Sequence, residues 1–114
     1  VPSEPREAAQ VSVPSQQDLE DMRDYVKKKR SDHAARLSLG RALWNAGEIQ
    51  EAMDHYGRLI KASAKTEEVI EDLQRYTEER PTESSVLRTL GDVYMKEGDL
   101  DKALKIYNRA MELL

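Results

Sequence analysis

The sequence predicts an all-α protein, a helical repeat of about six antiparallel helices. Three observations predict it. Helix formers such as Ala, Leu, Glu, Lys and Arg dominate and phenylalanine is absent, a balance that disfavours a sheet protein. Aliphatic residues recur at three- and four-residue spacing along most of the chain. The chain also overlays on itself at one fixed offset, Leu39 falling on Leu90 and Tyr56 on Tyr107.

The opening stretch VPSEPREAAQVSVP carries Pro2, Pro5 and Pro14 and has no apolar periodicity, so residues 1–14 are expected to form a flexible linker. Ser15 and Asp18 then make a capping box for a first helix over about 16–30, with Leu19, Met22 and Val26 on one face. A second helix is expected over about 33–46 and a third over about 48–61. The fourth, about 67–80, follows Thr66 as its cap and carries Val69, Ile70, Leu73 and Tyr76. Pro81 separates it from a fifth over about 83–97, and Asp99 caps a sixth over about 99–113. Gly47 and Gly98 fall at helix stops, where glycine tolerates the left-handed conformation.

Gly40 and Gly91 sit inside helices, where glycine costs about 1 kcal/mol against alanine. The repeat gives them a purpose. Glu20, Asp21, Tyr25, Leu39, Gly40, Gly47, Ala52, Tyr56 and Arg58 recur identically as Glu71, Asp72, Tyr76, Leu90, Gly91, Gly98, Ala103, Tyr107 and Arg109. Residues 15–114 therefore read as one domain of two three-helix units, 15–65 and 66–114. In each unit the second and third helices are expected to cross closely at the glycine, against Ala52 or Ala103.

These positions resemble the tetratricopeptide repeat (TPR), whose signature runs W-x2-L-G-x2-Y followed by Ala, Phe and Pro. Arg36, Leu39, Gly40, Leu43, Ala52 and Tyr56 carry it in the first copy; Leu87, Leu90, Gly91, Tyr94, Ala103 and Tyr107 carry it in the second. The resemblance covers about 33–61 and 83–114. The leading tryptophan is absent from both copies, and the longer period adds one helix to each unit. The resemblance implies an α-solenoid fragment that binds a protein or peptide along the face of each hairpin's first helix. On that face stand Ala34, Leu37, Arg41, Trp44 and Asn45, then Ser85, Arg88, Asp92, Met95 and Lys96. Chaperone-binding members grip a carboxylate terminus with Lys and Asn residues. Leu37 and Arg41 stand on the relevant face here, so a chaperone adaptor is not supported.

Catalytic chemistry finds little support. His33 and His55 lie on different helices without a converging ligand set, and no phosphate loop or nucleophile elbow occurs, so no enzyme, metal or cofactor is expected. The absence of cysteine fits a reducing compartment and favours the cytoplasmic side. No apolar run is long enough for a membrane span. The chain opens on Val1 rather than methionine and is expected to be a segment of something longer. Its net charge of −4 argues against general nucleic-acid binding. The basic run Lys27–Arg30 could tether phosphate, nucleic acid or lipid, but it also complements the dipole at the end of the first helix. Trp44 lies beside Leu37 at the margin of the apolar stripe; burial is the simpler reading, a binding hot spot the alternative.

Two functions remain. The first is a scaffold for a protein or peptide partner. The alternative is a self-assembly module, suggested by Met111, Leu113 and Leu114 at an uncapped end. Charge asymmetry points the same way: residues 15–65 hold ten basic and eight acidic side chains, residues 66–114 seven and twelve.

Overall fold

The computed structural model describes residues 13–114, so most of the expected linker lies outside the described residues. Six helices follow in order: α1 Gln16–Lys28, α2 His33–Asn45, α3 Ile49–Lys61, α4 Thr66–Glu79, α5 Ser84–Lys96 and α6 Leu100–Glu112. Every helix falls within a residue or two of its expected span.

The local chemistry explains most of the ends. The Ser15 hydroxyl accepts from the Asp18 amide at 3.0 Å while the Asp18 carboxylate accepts from the Ser15 amide at 3.3 Å. Asp32 caps α2 through the Ala35 amide and also accepts from the Tyr25 hydroxyl at 2.8 Å, which ties the end of α1 to the start of α2. These two hydrogen bonds, the backbone one first, hold the Asp32 carboxyl below its ordinary pKa. Asp99 caps α6 as expected.

Gly47 and Gly98 take φ of +82° and +80°. In each case the two following amides turn back onto the helix: Gly47 to Trp44 and Glu48 to Leu43, then Gly98 to Met95 and Asp99 to Tyr94. That is the Schellman closure glycine favours. Helix α3 closes the same way with Ser63 at φ 52°. One expected cap is corrected: Thr66 is the first residue of α4, and the residue before it, Lys65, is left-handed with no side-chain cap bond.

Each helix packs against the next, and α3 also reaches α5. The pairs α2–α3 and α5–α6 are the two hairpins of the repeat, with α4 between them in the chain. The buried core runs continuously from Leu19 and Val26 through Leu39, Leu43 and Leu59 to Leu73, Leu90 and Val93. The interior glycines do mark close crossings, but against a different neighbour. A Cβ on Gly40 would lie 3.1 Å from the Tyr56 ring, and one on Gly91 would press into the Tyr107 ring. Ala52 and Ala103 are fully buried, yet the aromatic rings, not the alanines, lie over the glycines.

Candidate functional site

The expected binding face of α2 is covered in part: Leu37 and Trp44 are buried, while Ala34, Arg41 and Asn45 stay exposed. Arg41 reaches across to α4 and forks onto Asp72, Nε to Oδ2 at 2.7 Å and Nη2 to Oδ1 at 3.2 Å. Trp44 stacks on Tyr76 of α4, with centroids 3.9 Å apart and planes within 11°, and its indole N–H donates to Glu79 at 2.9 Å. Leu37 and Trp44 are therefore corrected from candidate contacts to core residues, 5% and 7% exposed. For Trp44 the physical reason is the additional helix α4, which lays Tyr76 against its ring.

The joint that α4 makes is a polar network inside an apolar shell. Asp72 is 2% exposed and accepts four hydrogen bonds: two from Arg41, one from Arg75 at 3.1 Å and one from the Tyr56 hydroxyl at 2.7 Å. Tyr56 spends its only proton on this carboxylate, so the Tyr76 hydroxyl, 2.8 Å away, must donate to Tyr56. Burial is the first cause that raises the pKa of both phenols. A buried carboxylate is tolerable when all its acceptor sites are filled, and here they are.

The other candidates do not converge. Asn45 is exposed and, with Arg41, borders a cleft shared with Asp18, Asp21 and Met22 of α1. Arg88 and Asp92 line a different and larger cleft of about 810 Å³ between α3 and α5. Met95 and Lys96 are exposed near the end of α5. The cleft between α3 and α5 has the character of a binding groove. Met53 and Ile60 supply apolar surface; Asp54, Arg58, Lys61, Arg88 and Asp92 supply charges of both signs. Ser85 lines it too, and its buried hydroxyl has no hydrogen-bond partner among the described residues. An unsatisfied buried hydroxyl is uncommon enough to need a reason.

Sequence reasoning missed the α3 wall of this cleft. The signal was present: Ile49, Met53, Tyr56 and Ile60 form an apolar stripe on α3 that recurs on α6 as Leu100, Leu104, Tyr107 and Met111. On α3 the stripe lies against the helices that follow, and Met53, Tyr56 and Ile60 are buried. On α6 Leu100, Leu104 and Met111 are exposed, by 55%, 58% and 65%.

Among the described residues no group of His, Asp or Glu is placed to hold a metal ion, and no helix is long and apolar enough to cross a membrane. Models of the tetratricopeptide repeat match residues 19–67 and residues 84–114. No curated protein matches the chain. With two repeat matches that span most of the helical region, paired helices closed by Gly47 and Gly98, and close crossings at Gly40 and Gly91, the chain belongs to the tetratricopeptide repeat family.

Proposed function

We propose that the chain is a non-catalytic scaffold that holds a segment of a protein partner in the cleft between α3 and α5. Tetratricopeptide repeats generally mediate protein–protein interactions. The observation that carries this location is the cleft itself, with an apolar floor of Met53 and Ile60 and a rim of mixed charge. A peptide backbone brings both donors and acceptors, and its side chains suit such a floor and rim. Peptides selected from a random display library against the folded chain test it by amide shift mapping. The expected shifts centre on Met53, Ile60, Arg88 and Asp92, and Arg88→Glu should weaken binding about tenfold. Selected peptides that perturb only other faces would remove this groove from consideration.

The α6 stripe favours a second reading, self-assembly. Head-to-tail copying of the α4 joint is opposed at its centre: α1 of a second copy would bring Asp21 to Asp92, where α4 brings Asp72 to Arg41. A contact between the α6 stripes of two copies, Leu104 on Leu104, avoids that repulsion. Sedimentation at micromolar concentration should then give a dimer that Leu104→Glu converts to monomer. A monomer at both low and high salt sinks this reading.

A further inference from the structure

The tetratricopeptide signature opens with a tryptophan, and in the first repeat that position is Arg36. Arg36 is 8% exposed, and its Nη1 lies 3.0 Å from Nδ1 of His55. A guanidinium only donates, so Nδ1 accepts and the imidazole is neutral with its proton on Nε2. Burial first, then Arg36 itself, holds the His55 pKa below its ordinary value. Arg36 thus carries a buried positive charge against a neutral partner, and it feels Arg58 and Arg30 as further positive charges nearby.

These groups line a cleft of about 370 Å³ between α1, α2 and α3, floored by Val26. Arg23 and Glu51 form one wall, already forked onto each other at 2.7 and 2.8 Å. Lys27, Arg30 and Arg58 complete the rim. Among the described residues no carboxylate lies within ion-pairing distance of Lys27, Arg30, Arg36 or Arg58. Burying a charge without a counter-charge is unfavourable.

The second repeat shows that the fold does not require this arrangement. The positions of Lys27, Arg30, Arg36 and His55 recur there as Glu78, Pro81, Leu87 and Ile106. Leu87 is 1% exposed, an ordinary core leucine. The cationic cleft is a property of the first repeat alone.

We propose that the cleft between α1, α2 and α3 binds a phosphate monoester, with Arg36 at its base and Lys27, Arg30 and Arg58 around it. Guanidinium forks match phosphate oxygens two at a time, and a doubly charged group offsets more of the charge on these four cations than a carboxylate would. The basic run Lys27–Arg30 therefore gives two of its members to a site built from three helices. Arg58 also borders the groove between α3 and α5, so the variants chosen below leave Arg58, and with it that groove, untouched.

Calorimetry and thermal melts of the full chain test it, comparing inorganic phosphate with chloride at equal ionic strength. A phosphoserine peptide and its unphosphorylated form make the second comparison. Phosphate should bind and raise the melting temperature. Arg36→Leu should raise the melting temperature without phosphate, because Leu87 already fills the equivalent position, while abolishing the phosphate response. A purely structural role for Arg36 predicts the opposite sign for the first effect. Lys27→Gln with Arg30→Gln should leave the fold intact and weaken phosphate binding about tenfold; this pair carries the test if Arg36→Leu fails to fold. Tighter binding of the phosphoserine peptide than of inorganic phosphate assigns the ligand to a modified protein side chain; equal or weaker binding assigns it to a free small phosphate. The proposal is overturned if neither probe binds, or if Arg36→Leu keeps the full phosphate response.

Discussion

Asp72→Ala is expected to destabilise the chain by about 2–3 kcal/mol, among the largest effects of any single substitution in it. Removing one partner of a buried ion pair costs about 3–5 kcal/mol when the other is left buried. Here the cationic partners are 45% and 52% exposed, so Arg41 and Arg75 regain water and the figure falls. Tyr56 cannot do the same. It is fully buried, and without Asp72 its hydroxyl loses its acceptor. The sequence supplies its own control in Asp21, the same residue at the equivalent repeat position. Asp21 is exposed and, among the described residues, accepts only from Gln17 at 2.9 Å, so Asp21→Ala should change stability by less than about 0.5 kcal/mol. Urea unfolding of both variants measures the contrast. Trp44 reports on the joint directly, because it stacks on Tyr76, one turn of α4 beyond Asp72; its emission should shift to the red as α4 loosens. Equal stability losses at Asp21 and Asp72 would show that the network does not hold α4 in place.

That pair of aspartates also marks where sequence reasoning stops. Helix spans were legible because their signals are local: a capping box at Ser15, an aspartate at Asp99, glycines at Gly47 and Gly98. The left-handed turns at Ser63 and Lys65 were not, since neither residue type favours positive φ. The repeat located the hairpins but not the docking of α4. Asp21 and Asp72 are the same letter in similar local context, one exposed and one buried, because among the described residues the second meets a preceding hairpin. For the same reason the face carrying Leu37, Arg41 and Trp44 read as an open groove. Trp44 is covered by a helix whose position depends on contacts with Tyr56 and Trp44, both distant in sequence. The cationic cleft was legible only in part, as the run Lys27–Arg30; Arg36 stood only among the positions that carry the family resemblance, and its burial beside His55 needed three helices to be assembled.

Gly40→Leu is expected to cost about 3 kcal/mol, at the upper end of what overpacking usually costs, even after helix propensity returns about 1 kcal/mol. The magnitude follows from the ring above it. A bare Cβ would meet Tyr56 at 3.1 and 3.4 Å, a gap that needs only a few tenths of an ångström of movement. Leucine needs far more, and Tyr56 is fully buried with its hydroxyl held between Asp72 and Tyr76. Gly91 offers less room, a Cβ there lying 2.6 Å from Cδ1 of Tyr107. Its ring is freer, however. Tyr107 is only partly buried and its hydroxyl is tied by a single exposed hydrogen bond, 2.6 Å to Asp92. Gly91→Leu should therefore swing Tyr107 outward and lose that one bond, costing about 1–2 kcal/mol. The tighter crossing thus tolerates the larger residue better, because the ring's freedom to move decides the cost. Thermal or urea melts give the order, and near-ultraviolet circular dichroism should show the Trp44–Tyr76 signal disturbed in Gly40→Leu alone. A larger loss at Gly91 would mean that Tyr107 is held as firmly as Tyr56, and that the α6 stripe around it is already covered in solution.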